Sequence, residues 1–443
     1  MITGTLSPKT NEKNPIMTYF QFFKLSNKDT MLSFDIFYYR ESIVEIRSQF
    51  IANEKLITKM KLFFKKNILP SLFILTACTT VQGNDLLLRK VLENYCNIAL
   101  ANYRDAWDAA NIMDQAIDDF SKSPSEKRLK LLRSSWLAAR IPYGQSEVFR
   151  FYEGPIDREP NGPEGLLNAW PMDESYIDGV KGNPKAGIIQ NPQKFPNVTA
   201  DLILKLNQKD GETNVSCGYH AIEFLLWGQD LQQGSSGNRK LSDFTSDKFA
   251  ERRLKYLSAC SKLITLQLHE LVEQWKPGKE NYRKQFLTEN PKKSLQKVLM
   301  GMGMLSGFEL SGERMLVAYE TRAQEDEHSC FSDNTHNDII YNAKGIQNVY
   351  HGKYVHSRSK KVTKGPGIKE LAKELSPEKE KSLSADMRKA FLSTFAIPAP
   401  FDMAVNETNG RIFIKDSIDS LVALATNLKS FAESLDINIH ISE

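Results

Sequence analysis

The stretch Ser216-Cys217-Gly218-Tyr219-His220-Ala221-Ile222-Glu223-Phe224-Leu225-Leu226-Trp227-Gly228 sets an imidazole and a carboxylate three residues apart inside an otherwise apolar run. On a helix that spacing puts both groups on one face, one turn apart, where both can reach one ion. Ile222, Leu225 and Leu226 then form the core-facing side. The polar pair therefore looks into a buried or half-buried place, where a charge needs a partner. Two readings follow: His220 and Glu223 ligate a metal, or they hydrogen-bond to each other and to a neighbouring helix. The zinc-protease pattern HExxH is absent.

A second segment, Glu325-Asp326-Glu327-His328-Ser329-Cys330-Phe331-Ser332-Asp333-Asn334-Thr335-His336, repeats the pairing, with Glu325 three residues before His328 and Asp333 three before His336. One HxxE supplies two ligands, whereas transition-metal sites commonly use about three or four from the protein. The expected set is therefore His220, Glu223, Glu325, His328, Asp333 and His336. Mixed nitrogen and oxygen donors suit iron, zinc or copper rather than calcium. The competing reading makes Glu327 a solvated helix end and Asp333 or Asn334 an N-cap. A third candidate is Arg140-Ile141-Pro142-Tyr143-Gly144-Gln145-Ser146-Glu147. Pro142 is expected to kink or end its helix, so that Arg140 and Glu147 line the same pocket as Gly218 or form a structural ion pair.

These groups need rigid elements to hold them. The chain has 443 residues, 41% hydrophobic and 25% charged, which fits a globular protein of two or three domains. A formal net charge of +4, with no basic block interleaved with aromatics, points away from nucleic acid. No Gly-rich phosphate loop and no Ser-His-Asp order stands out. Helical periodicity runs over 85–120, with Leu88, Val91, Leu92, Tyr95, Ile98 and Ala99 as its stripe and a break at Asn102. Ser123 is the expected N-cap of the next helix, which runs through Trp136 toward Phe149. Residues 154–196 are rich in Gly, Pro and Asn, a long irregular excursion of the kind that carries function. Further helices are expected at 199–206, 246–275, 294–322, 333–350, 376–394 and 416–435. The basic run 358–364 reads as a solvated loop. With strand signals scarce, the fold class is all-α: two helical bundles, 79–230 and 231–443, joined near 232–238 with the site at their interface.

At the front, Met60-Lys61-Leu62-Phe63-Phe64-Lys65-Lys66 is basic, residues 67–75 are apolar, and Leu75-Thr76-Ala77-Cys78 has the form of a lipobox. Residues 60–78 are therefore expected to be a bacterial lipoprotein signal. Cys78 would be the lipidated first residue of an envelope protein anchored in the membrane, the outer membrane by preference, and 1–59 an extension foreign to the mature chain. The other cysteines, Cys96, Cys217, Cys260 and Cys330, allow a Cys217–Cys330 bridge or four buried thiols.

Taken together, Arg140-Ile141-Pro142-Tyr143-Gly144, Phe151-Tyr152-Glu153-Gly154-Pro155-Ile156-Asp157, the GxHxxE of Gly218, His220 and Glu223, and residues 325–336 resemble the imelysin family, which includes iron-regulated protein A-like proteins. The resemblance covers about residue 85 to the C-terminus. It implies two helical-bundle domains with a site between them, in an envelope protein linked to iron acquisition. The family also carries a metallopeptidase label, so a metal-dependent peptidase is the alternative to a metal-binding protein.

Overall fold

The structure, a computed structural model, describes residues 58–59, 61–62 and 69–441. The expected extension 1–59 lies outside these apart from its last two residues, as does most of 60–68. Cys78 is described as a position in a helix. The chain from Ala77 to Glu443 forms one compact unit. Among the described residues no helix is long and apolar enough to cross a membrane.

The first long helix, α1, spans Leu69–Lys122 without a break. Its expected stripe is buried from Val91 to Ala99 and continues through Tyr103, Ala110, Ile117 and Phe120. Asn102 does not interrupt the helix, because its buried side-chain amide donates to the Pro142 carbonyl at 2.7 Å. Helix α2, Glu126–Ser146, begins two residues later than expected: Ser125, in extended conformation, is the N-cap, and its hydroxyl accepts from Arg128 N. Pro142 lies inside α2 and does not end it; a turn of 3-10 helix, Glu147–Phe149, follows.

Helix α3, Tyr219–Trp227, carries GxHxxE and is buried along its whole length. Next come α4, Ala250–Trp275, and α5, Pro291–Met304. The helix from α5 does not run on in α-geometry to Arg322; Leu305–Leu316 is π-helical before a last α turn, Val317–Thr321. Helix α6 is Thr335–Tyr350, α7 is Pro377–Ala396 and α8 is Thr408–Glu433. The basic run 358–364 is largely exposed as expected, its first four residues an exposed turn, but Val362–Lys364 forms β2 of a small antiparallel hairpin with β1 Lys353–Val355, in register Tyr354 opposite Thr363. The hairpin is fixed to α1 because the buried Asp105 carboxylate accepts from the Tyr354 hydroxyl and from Ser357.

Two groups of helices meet at α2 and α6. Helix α3 packs on α4 and on α2, while α7, α8 and the π-helical stretch pack together, and α6 touches both groups through α2 and α7. The crossing of α2 and α6 is close because Gly345 faces the Gln145 carbonyl; a Cβ at 345 would stand 2.4 Å from that oxygen. Residues from both sides of the expected 230/231 boundary thus share one compact unit. An aromatic cluster seals the far end, where Trp275 meets Tyr95, Tyr282 and Phe286 at centroid distances of 5.9, 5.2 and 6.0 Å.

Residues 77–443 expressed alone are therefore expected to show the same helical circular dichroism and cooperative thermal transition as the full chain. A broad, non-cooperative melt would contradict the unit's independence.

Candidate functional site

Helix α3 has a buried start because of Gly218. Its φ of +93° is open to glycine, and a Cβ there would lie 2.7 Å from the Leu167 carbonyl. The tight junction presses His220 and Glu223 into the interior, 1% and 0% exposed. The two groups meet as the helical spacing requires, His220 Nδ1 to Glu223 Oε2 at 2.9 Å. Glu223 Oε1 accepts from the Ser332 amide at 3.0 Å and the Ser332 hydroxyl at 2.7 Å. His220 Nε2 is buried with no hydrogen-bond partner. The Trp170 ring lies 4.9 Å from the His220 ring, centroid to centroid.

A second imidazole faces the first. His328 and His220 stand edge to face with centroids 4.8 Å apart. His328 Nδ1 meets Asp338 Oδ2 at 2.9 Å, and Asp338 also forms a bidentate pair with Arg140 at 3.2 and 3.1 Å. Arg140 Nη1 donates to Asn168 Oδ1 at 2.5 Å, which turns the Asn168 amide nitrogen toward His328 Nε2 at 3.4 Å. An amide N–H can only donate, so His328 Nε2 accepts and the ring proton sits on Nδ1, given to Asp338. Asp338 accepts as well from the Ser329 hydroxyl at 2.5 Å and the Asn334 amide at 3.2 Å.

The electrostatics agree with this tautomer. Burial opposes ionisation of Asp338, but Arg140 and His328 outweigh it and hold the carboxyl well below its usual range. Burial, with Arg314 adding to it, pushes His328 down to about 4. Burial, then His328 and Arg140, pushes His220 well below its ordinary value. Glu223 is pushed up to about 8, burial being the main cause. At pH 7 both imidazoles are neutral, and the Glu223 carboxyl donates to His220 Nδ1.

Of the expected ligands, the structure brings together His220, Glu223 and His328, with Arg140 beside them. The other three stand apart from this network. Glu325 is exposed on a 3-10 turn, Gln324–Asp326. Asp333, at φ +57°, bonds Asp230 and is pushed up to about 7 by burial and then by Asp402. His336 is half-buried in the first turn of α6, its Nδ1 without a partner. The helical spacing argument does not hold at 325–333 because 327–333 is a turn rather than a helix. Glu327, expected as a solvated helix end, is buried at 1% exposure. Glu147 does not pair with Arg140; it meets Arg150 and Arg314, both at 2.6 Å. Among the described residues no group of three or more His, Cys, Asp or Glu side chains is arranged to hold a metal ion. Cys96, Cys217, Cys260 and Cys330 are buried free thiols, which leaves no bridge between Cys217 and Cys330.

Sequence reading missed Asp338, Ser332, Asn168 and Trp170. Asp338 sits in the first turn of α6, ten residues from His328, where no local pattern links the two. Asn168 and Trp170 come from the irregular excursion.

Residues 99–428, which contain every member of this network, match the family model described as Imelysin. A curated relative, iron-regulated protein A of Synechococcus elongatus, is 22% identical over 366 residues, 80% of this chain and 88% of its own. Two solved structures share the fold. One is described as an iron-regulated protein A precursor from Parabacteroides distasonis, with TM-score 0.61 and 18% identity, covering 79% of this chain and 95% of that one. The other is an imelysin-like protein from Psychrobacter arcticum, with TM-score 0.57 and 13% identity, covering 80% and 98%.

Removing one side of the Arg140–Asp338 pair strands a buried charge, so Arg140→Ala is expected to cost about 3–5 kcal/mol in chemical denaturation. Gly218→Ala is expected to cost roughly 2 kcal/mol or more, from the left-handed backbone and the Leu167 contact. The Glu223 shift carries a sign. Between its ordinary value of 4.5 and about 8 the unfolded chain has lost this proton and the folded chain keeps it, so stability falls as pH rises through that window. The stability difference between parent and Glu223→Gln should follow that fall; a difference independent of pH would contradict the burial of an ionisable Glu223.

Proposed function

The chain belongs to the imelysin family, and from that premise we propose that it is a bacterial envelope lipoprotein that binds a transition metal, iron foremost, in iron acquisition. One observation carries the reading: two buried neutral imidazoles stand face to edge, each hydrogen-bonded through Nδ1 to a carboxyl group, Glu223 or Asp338, and His220 Nε2 has no partner. A carboxylate on one ring nitrogen is the arrangement that orients a metal-binding histidine and raises its basicity. A cation at His220 Nε2 would require Glu223 to give up the proton it shares with Nδ1, after which Nδ1 donates to the carboxylate, and at His328 the ion would take the place of the Asn168 amide at Nε2.

Imidazole suits iron, zinc and copper. The chain would supply two nitrogens, with water or ligands travelling with the ion completing the sphere, so the bound metal would be held in an open and exchangeable site. That is the behaviour of a cargo-binding protein. The name of the cyanobacterial relative, which describes that protein as iron-regulated, supports iron as the cargo. A peptidase would need a carboxylate free to act as base on water. Here Glu223 is taken up by His220 and Ser332, and Asp338 by Arg140, His328 and Ser329, which favours binding over hydrolysis.

The lipid anchor rests on the Met60 to Cys78 sequence order. It is supported by where the compact unit begins, at Ala77, one residue before Cys78.

Isothermal titration of the purified protein with ferrous, zinc and cupric ions tests the site. The parent is expected to bind one ion, Glu223→Gln to bind about 10- to 100-fold more weakly, and His220→Ala to lose binding while keeping its helical spectrum. Equal binding by His220→Ala and parent would refute the site. Cys78→Ser is expected to abolish lipid labelling and release the protein from membranes; unchanged membrane attachment would refute the anchor.

A further inference from the structure

A cleft of about 420 Å³ opens beside His328, between residues 164–171 and the π-helical stretch, with His328 and Asn168 in its lining and His220 behind His328. The π-helix shapes this wall. Its hydrogen bonds run from each residue to the fifth along, so Glu309, Glu313 and Arg314 fall on one face, and all three line the cleft.

The charges in that lining are unequal. Glu164, Glu309, Glu313 and Asp326 contribute four carboxylates, against the guanidiniums of Arg150 and Arg314. Both guanidiniums are already engaged by Glu147, which lies beneath them, 0% exposed. Burial opposes ionisation of Glu147, yet Arg150 and Arg314 hold it at about 2, so it stays charged. Arg150 also pairs with Glu164 and Glu309, and Arg314 with Glu309, so with Glu147 counted the cleft and its floor hold five carboxylates against two guanidiniums and the balance is negative. A cleft lined by one sign of charge within low-dielectric walls concentrates ions of the opposite sign and speeds their arrival.

We propose that the metal reaches His328 and His220 through this cleft as a hydrated divalent cation, and that the cleft rejects metal carried in an anionic chelate. This rests on the metal-binding reading of the histidine pair and adds to it the chemical form of the cargo. For iron, that form is the ferrous aqua ion rather than a ferric polycarboxylate. Asp326 and Glu164 act as positioning charges on the entry path, without bonding to the ion in its final site.

The test measures the association rate of cobaltous ion, and separately of ferric citrate, with the full-length protein. The proteins are the parent, the double variant Glu164→Gln with Asp326→Asn, and His220→Ala. At about 0.01 M salt, where the screening length is about 30 Å, the double variant is expected to bind cobaltous ion more slowly by on the order of tenfold. At about 1 M salt the difference should vanish, while the absorption spectrum of the bound cobalt stays that of the parent. Ferric citrate should not bind. Equal rates for parent and double variant at low salt, with His220→Ala still unable to bind, would overturn the cleft while leaving the histidine site standing. Ferric citrate binding that depends on His220 would overturn the charge argument in the same way. A parent that binds no cation would remove the histidine site, and this inference with it.

Discussion

The buried pair of Arg140 and Asp338 is the interaction on which the rest of the site depends. It joins α2 to α6, the two helices through which both helical groups touch. Its members are 2% and 1% exposed, so neither charge has water to fall back on. Each guanidinium and carboxylate edge left over is then used. Arg140 turns Asn168 toward His328 Nε2, and Asp338 takes the His328 Nδ1 proton. The orientation of one imidazole thus follows from an ion pair that never touches it through Arg140. Arg140 also lies over the Tyr143 and Tyr219 rings, at 5.5 and 5.3 Å, so aromatic faces help to hold the charge in place.

The other imidazole is oriented from within its own helix. Gly218 permits the entry angle of α3, the i to i+3 spacing brings Glu223 to His220, and Ser332 fixes the far carboxylate oxygen. Because Ser332 and His328 sit in one turn between the 3-10 helix and α6, that turn binds both halves of the site together. It explains why a segment rich in charged residues is buried here: Glu327, His328, Ser329 and Asn334 are each 4% exposed or less. The local polar groups are matched mostly by side chains from other elements.

Much of this was legible in the sequence, and the reasons are physical. The apolar stripe of α1 and the HxxE of α3 are local patterns with a fixed helical period, and both came out as read. The fold class, all-α apart from a short hairpin, followed from the same periodicity. What failed was the extension of helical spacing into 325–333, where the backbone turns and Asp333 adopts a left-handed conformation. Asp338, Asn168 and Trp170 reach the site through tertiary packing, over separations that no spacing rule spans. The π-helical wall of the cleft was equally hidden, since Leu305–Leu316 has the apolar pattern of an ordinary helix.

The central claim is that His220 and His328 present two ring nitrogens to one ion while their carboxylate partners hold the other two. Anomalous diffraction from crystals soaked with ferrous or zinc ion tests it most directly. The expected result is a single buried peak at about 2.1 Å from both Nε2 atoms, with the Glu223 and Asp338 hydrogen bonds intact. A peak confined to surface carboxylates, or none beside these nitrogens, would contradict it.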